Sequence, residues 1–238
     1  MTLAIQPVSL LFLPLSSSIC FPIAQNSDPC DQVPLEAVSP ILRTDEHWED
    51  EIDNFWEAWG RVFHLPRRSA KCGSHIHVSP GPNKRFTLYE LKAIASGVIF
   101  YDDNLDDILP RPRQHNKYCQ RNWENSQSLA MWYTDGDKRT LAPTILRIYD
   151  CDTILELKNL MQDNRRVLWN FEHALPGSTG TVEFRGGRGL RGPNRTKWWI
   201  AFVIAFIQLC ISQVSRAEPG RAAFDINTVQ GLPVQDLG

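Results

Sequence analysis

The 238-residue chain has no lysine or arginine before Arg43, no C-x-x-C pair and almost no excess of either charge. Each absence excludes something. Twenty-five basic and twenty-seven acidic side chains leave a net charge of −2, so no overall field draws in nucleic acid or an anionic membrane surface. The six cysteines, Cys20, Cys30, Cys72, Cys119, Cys151 and Cys210, are spread too widely for the dense disulfide framework of a small secreted domain. They read as free buried thiols in a reducing, cytoplasmic setting. No G-x-x-x-x-G-K-[ST] loop, dinucleotide fingerprint or G-x-S-x-G elbow occurs, which removes the signatures of the common nucleotide folds.

Long apolar runs are equally scarce. Val8 to Ile23 has the look of a signal-peptide h-region, but Pro14 and Pro22 interrupt it and the positive n-region is missing. A cytoplasmic chain is the main reading, and a secreted, disulfide-bonded one the alternative. Only in a secreted chain would the glycosylation sequon Asn194-Arg195-Thr196 matter. Trp198 to Ile211, fourteen residues interrupted by Gln208, is shorter than a bilayer requires and reads as a buried core helix. No membrane association is expected.

What is present is the composition of a packed globular protein: 42% hydrophobic and 22% charged residues, with eight Trp and eleven Phe for a core. Residues 1–32 show no helical or strand period, 33–216 hold the folded domain, and 217–238 read as a loose tail. Val33 to Leu42 reads as a short strand stopped by Pro40. Thr44 offers an N-cap for a helix whose apolar face is Trp48, Ile52, Phe55, Trp56, Trp59, Val62 and Phe63, with Glu49, Asp50, Glu51, Asp53 and Glu57 on its solvated side. Lys71 to Ser79 is a strand ended by Pro80, Gly81 and Pro82. The capping box Thr87/Glu90 opens a helix whose apolar face runs through Leu91, Ile94, Ala95, Val98, Leu105 and Ile108 to a stop at Pro110 and Pro112. Arg111 to Arg121 then forms a basic loop. A helix follows the Thr153/Glu156 box to about Gln162. Thr181 to Arg185 is a second strand, Gly186 to Gly192 a glycine-rich turn, and Asn194 or Thr196 the cap of the last helix.

Strand alternation places the chemistry, because residues i and i+2 share a face. His75 and His77 project together with Gly73 and Ser79, while Ile76 and Val78 point the other way. Thr181, Glu183 and Arg185 likewise share one face, and Val182 and Phe184 the other. If both strands belong to one sheet, the polar faces combine into a charged concavity. A histidine pair with a carboxylate suits a metal, and an adjacent arginine suits an anion. The bland reading stands beside it: Glu183 and Arg185 as a same-face ion pair, the basic loop as surface, and His115 and His173 as structural histidines. A zinc set of Cys72, His75, His77 and Cys119 is awkward, since Cys72 faces away from the histidines.

The order L-E-A-V-S-P-I-L (35–42), C-G-S-H-I-H-V-S-P (72–80), R-Q-H-N-K-Y-C (113–119) and T-V-E-F-R (181–185) resembles the amidoligase family of fungi and bacteria. That family is related to glutamine synthetase and glutamate–cysteine ligase, and the likeness spans about residues 33–212. The resemblance implies an α+β fold, a curved antiparallel sheet with helices on its convex face and the active site on the concave one. It implies ATP-dependent joining of a small-molecule or peptide carboxylate to an amine through an acyl phosphate. By the same resemblance, Glu36, His75 and Glu183 hold Mg²⁺ and His77 contacts the ATP phosphates. Arg185 grips the acceptor carboxylate or the transferring phosphoryl group, Arg113 the nucleotide phosphates, and Asn116 and Tyr118 position the loop or substrate. The chain departs from the family's opening G-V-E-x-E strand, since its first glutamate is Glu36, and it has Thr181 where glutamine synthetase has arginine. A catalytically inactive relative that binds nucleotide or peptide is therefore the alternative, with the first strand of the sheet expected to be missing.

Overall fold

Two seven-residue strands decide the architecture. In a computed structural model, which describes residues 4–5, 9–10, 37–63 and 73–216, β5 (Gly73–Ser79) pairs antiparallel with β7 (Val182–Arg188). The shorter strands are β1 (Ala4–Ile5), β2 (Ser9–Leu10), β3 (Ala37–Val38), β4 (Leu42–Arg43) and β6 (Trp169–Asn170). One sheet has the order β4-β1-β5-β7-β6, all antiparallel, and β2 pairs with β3 in a second. The fold is α+β. The edge of β5 away from β7 carries Ala4–Ile5, so a strand stands there, short and without a carboxylate.

The apolar side of this sheet is the core. Ile76, Val78, Val182 and Phe184 are buried on it, each contributing about 1.5–3 kcal/mol by leaving water. Helix α8 (Pro193–Arg216) crosses that side: Phe184 stacks on Trp199, and Trp169 on Phe206. Helix α2 (Leu88–Phe100), opened by the expected Thr87/Glu90 capping box, and α1 (Trp48–Val62) pack against α8. By length and composition α8 is apolar enough to cross a membrane. Its Trp199, Ile200, Val203, Ile207 and Cys210 are nevertheless buried in the protein. The helix also runs past the fourteen-residue apolar stretch at both ends. Pro193 starts it, where a missing N–H costs nothing, so Asn194 and Thr196 lie inside the first turn and do not cap it. Thr196 instead accepts a hydrogen bond from Trp56 Nε1 at 2.8 Å and donates to the Gly192 carbonyl at 2.9 Å, tying α1 to α8.

Other expectations need correcting. Pro40 divides Val33–Leu42 into β3 and β4, which join different sheets; residues 33–36, Glu36 among them, lie outside the described residues. Thr44 sits in a turn, and α1 begins at Trp48 after His47. Of its apolar positions Ile52 and Trp56 are buried, whereas Val62 is 70% exposed. Its acidic residues do face solvent. Helix α2 stops at Phe100; Leu105 and Ile108 belong to a separate turn, α3 (Leu105–Ile108). Four further helices follow: α4 (Asn122–Asn125), α5 (Gln127–Ala130), α6 (Leu141–Tyr149) and α7 (Ile154–Met161). Thr153 caps α7 as expected, while the Glu156 carboxylate reaches the Asp152 N–H. Cys119, Cys151 and Cys210 are free, buried thiols.

The glycine-rich stretch is the largest surprise. Gly186, Gly187 and Arg188 continue β7 and do not turn. A Cβ on Gly186 would lie 2.5–2.7 Å from side-chain atoms of Phe184, Leu109 and Leu168, and one on Gly187 would overlap the Ser74 hydroxyl. Glycine is thus required by close packing inside a strand. The register explains why: Ile76 pairs with Phe184 but Ser74 with Gly187, so Arg185 and Gly186 together oppose His75 in a β-bulge.

Candidate functional site

The site is built on the polar side of β5, β7 and β6. His77 and Glu183 are cross-strand partners, and Asn170 pairs with Glu183 from β6, which puts three polar side chains on one rung. The bulge aims Arg185 back toward His75. Its Nη1 donates to Glu183 Oε1 at 2.8 Å and lies 3.2 Å from His75 Nδ1, which is itself 3.0 Å from the same oxygen. Glu183, His75 and Arg185 are all buried.

Hydrogen bonds hold the floor in place. Asn170 Nδ2 donates to Glu183 Oε2 at 2.7 Å, Gln162 Nε2 donates to Asn170 Oδ1 at 2.6 Å, and the Phe171 N–H donates to Gln162 Oε1 at 2.7 Å. A fully satisfied buried chain of this kind fixes the carboxylate rigidly. Burial opposes ionisation of Glu183, but hydrogen bonds from His173 and His75 and the Arg185 charge outweigh it and hold its pKa well below the usual carboxylate value. Burial is also what pushes the imidazoles down, His75 lower than usual and His77 to about 4, in both cases against the pull of Glu183. Both rings are therefore neutral at pH 7.

His173, read from sequence as structural, completes the cluster. The short turn between β6 and β7 folds it back until its Nε2 lies 3.5 Å from Glu183 Oε2, and its ring meets His77 edge-on at 4.8 Å between centroids. The Gly180 and Thr181 N–H groups both donate to the His173 carbonyl, at 2.7 and 3.2 Å, and so anchor the turn. Thr181 also places its hydroxyl 3.2 Å from His77 Nδ1. No pattern marks His173, because its partners arrive only when β6 and β7 pair.

The remaining predicted residues are placed as follows. Arg113 is buried, its guanidinium lying 3.0–3.2 Å from where a Gly73 side chain would begin, and Nη2 donates to the Arg185 carbonyl. Together with Arg121, also buried, it departs from the expected basic surface loop. Asn116 bridges its own loop, donating to the Pro112 carbonyl at 2.8 Å and accepting from the Tyr118 N–H at 3.0 Å. The Tyr118 ring is covered by Lys117 and Arg166. Glu36 and Cys72 lie outside the described residues. Cys119 Sγ is 3.5 Å from the Arg113 carbonyl, and burial raises its thiol pKa.

Two other features draw the eye. Asp102, Asp103 and Asp135 gather their carboxylates, but Asp102 already accepts from Trp123 Nε1 at 2.9 Å and pairs with Arg121. A cavity of about 290 Å³ opens between α3 and α8 on the helical side, lined mainly by Leu105, Ile108, Phe202, Phe206 and Leu209.

The chain was compared with known proteins. The family model described as "Putative amidoligase enzyme" matches residues 16–207, the greater part of the chain. No curated protein and no solved structure matches it.

Proposed function

The chain belongs to the amidoligase family, and from that premise we propose that it joins a carboxylate to an amine in an ATP-dependent reaction through an acyl phosphate. The observation that supports this most is Arg185: a buried guanidinium whose Nη1 is spent on Glu183 and whose Nε has no hydrogen-bond partner among the described residues. An anionic oxygen, from the acceptor carboxylate or from a phosphoryl group, is the partner arginine favours, and since that Nε is closed to solvent here, the oxygen's entry requires the side chains around it to shift.

ATP supplies the phosphoryl group that turns the carboxylate into a displaceable acyl derivative. The chain's own residues bind and orient. Arg185 holds the oxygen on which negative charge accumulates, and its burial strengthens the interaction. His77 and His173, the least buried members of the cluster, line the open side and offer N–H groups to the same oxygens. Arg113 adds positive charge behind Arg185, and Asn116 and Tyr118 fix the loop that carries it. The free thiols of Cys119, Cys151 and Cys210 support a reducing, cytoplasmic location.

Mg²⁺, which the resemblance implies, favours an octahedral set of oxygen ligands. Among the described residues the site offers it one carboxylate, Glu183, whose oxygens already accept from Arg185 and Asn170, set among three imidazoles. The described donors do not fit that ion. The engagement of both Glu183 oxygens by Arg185 and Asn170 favours a second reading, a relative that binds nucleotide or peptide without turnover.

Phosphate release from ATP tests the choice, with hydroxylamine as the amine and a panel of amino acids and peptides as acids. Release that needs both acid and amine, and that falls at least about 100-fold in Arg185→Gln, is the expected result. ATP binding without any release across the panel selects the second reading, and the absence of both binding and release overturns both.

A further inference from the structure

We propose that the segment 217–238 doubles back along α8 and seats Phe224 in the apolar cavity between α3 and α8. From Trp198 to Ile207 helix α8 is apolar on every face, and a helix of that kind is ordinarily covered all round. One stripe of it stays open. Trp198, Phe202, Ala205 and Leu209 recur at helical spacing, within about 60° of one another around the axis. Trp198 is 52% and Leu209 39% exposed, Ala205 is exposed and Phe202 half-buried. Trp198 lies flat on Phe202, with 5.7 Å between ring centroids and 6° between planes, so the stripe is a packed surface. At Phe202 it opens into the cavity of about 290 Å³, whose other wall is Tyr101, Leu105 and Ile108.

The chain itself supplies the occupant. Residues 217–238 continue from the end of α8 and lie outside the described residues. Arg216 stands about 10 Å beyond Leu209 along the helix. Pro219 and Gly220, a pair that favours a chain-reversing turn, follow almost at once. The eight residues from Arg216 to Phe224 span up to about 26 Å when extended, enough to turn and bring the ring back to the cavity mouth at Leu209. A cavity of roughly 150 Å³ lined by leucine, isoleucine and phenylalanine holds a benzene ring. The larger one here has space for Phe224 and for Ile226, which shares its side of an extended segment. Charge agrees with that placement. Asp103 and Asp107, both exposed, flank Asn104 and Ile108 on the α3 wall, and Arg221, three residues ahead of Phe224, brings the opposite charge to that rim. The short connection holds Phe224 at an effective concentration of about millimolar, so little intrinsic affinity is needed. None of this rests on the ligase reading, since α8 covers the apolar side of the sheet, away from Glu183 and Arg185.

The test replaces Phe224 of the full chain by photoreactive benzoylphenylalanine and maps the cross-links formed on irradiation by mass spectrometry. A chain carrying the same group at Gln235 is the control. Cross-links within one chain, from position 224 to residues 101–108 and 202–209, are expected at a yield independent of protein concentration. Ala205→Arg places a charge at an exposed position of the groove, and its folding is checked by circular dichroism. It should lower the yield about 10-fold or more, the least that losing the burial of a phenylalanine ring amounts to. Cross-links between two chains, cross-links elsewhere, no more than the control gives, or a yield indifferent to Ala205→Arg each overturns the proposal. Vesicles of phosphatidylcholine and phosphatidylglycerol that float with the chain and abolish the cross-links would make a membrane the partner of the stripe, and would overturn it too.

Discussion

Glu183 and His77 face one another across the β5–β7 ladder, and the carboxylate of the first meets the imidazole of the second at 3.6 Å. Replacing Glu183 by glutamine removes the negative charge that Arg185 pairs with and one of the two oxygens that serve Arg185, His75 and Asn170. Leaving the Arg185 charge buried without its partner costs about 3–5 kcal/mol. Glu183→Gln is therefore expected to lower the urea unfolding free energy by that amount. Arg185→Met added to it should restore part of the loss, and a double variant no more stable than the single one would show that the ion pair is not the cause.

Gly187 and Ser74 compete for one space. Gly187→Ala drives a methyl group into the Ser74 hydroxyl and should cost about 1–3 kcal/mol. Ser74 Oγ is buried and makes no hydrogen bond among the described residues, so Ser74→Ala alone should be nearly neutral and should recover much of the Gly187→Ala loss. Gly186→Ala meets Phe184, Leu109 and Leu168 and should not be rescued by it. Thermal unfolding of the three single variants and of the two double variants that carry Ser74→Ala distinguishes the two positions.

Thr196→Val keeps shape and deletes the acceptor of Trp56 Nε1. The buried indole N–H is then unsatisfied, at a cost of about 1–3 kcal/mol. Adding Trp56→Phe removes that unsatisfied group, so the double variant should be destabilised by less than the sum of the singles, as a double-mutant cycle in denaturant will read.

Asp102 gives the fold a pH dependence of its own. Burial pushes its carboxyl up to about 6, against the opposing pull of Arg121 and the hydrogen bond from Trp123. A carboxyl with a raised native pKa holds its proton longer in the folded state. Its contribution is therefore fully present below about pH 4 and is lost as the pH rises to about 6, by on the order of 3 kcal/mol. Relative to Asp102→Asn, wild-type stability should fall across that window, and parallel curves for the two proteins would contradict the assignment.

The parts of the molecule legible from sequence are those set by local rules. Alternation in Lys71–Ser79 and Thr181–Arg185 placed Glu183, Arg185 and both histidines on one side and Ile76, Val78 and Phe184 on the other, as the burial and contacts show. Capping chemistry placed the starts of α2 and α7. What stayed hidden depends on pairing between distant segments. His173 and Asn170 join the cluster only because β6 closes on β7. Arg113 passes for a surface residue until the side-chain space left by Gly73 admits its guanidinium. Gly186 and Gly187 imitate a turn, because the tight neighbours that demand glycine there come from Leu109, Leu168 and Ser74. Thr44 satisfied the local rule for a helix start and still lost to a turn, with Arg43 bonded to Asp45 and Glu46.

The bulge opposite His75 also governs which length changes the strand survives. Ahead of it, parity sends Glu183 and Arg185 to the polar face and Val182 and Phe184 to the core; beyond it the count restarts, so Gly187 meets Ser74. Losing one residue at the bulge would leave the ionisable half in phase and regularise the ladder. Losing one between Glu183 and Arg185 would exchange the two faces and bury charge against Trp199. Within a few residues, β7 thus holds both a joint that absorbs a change in length and a stretch that tolerates none.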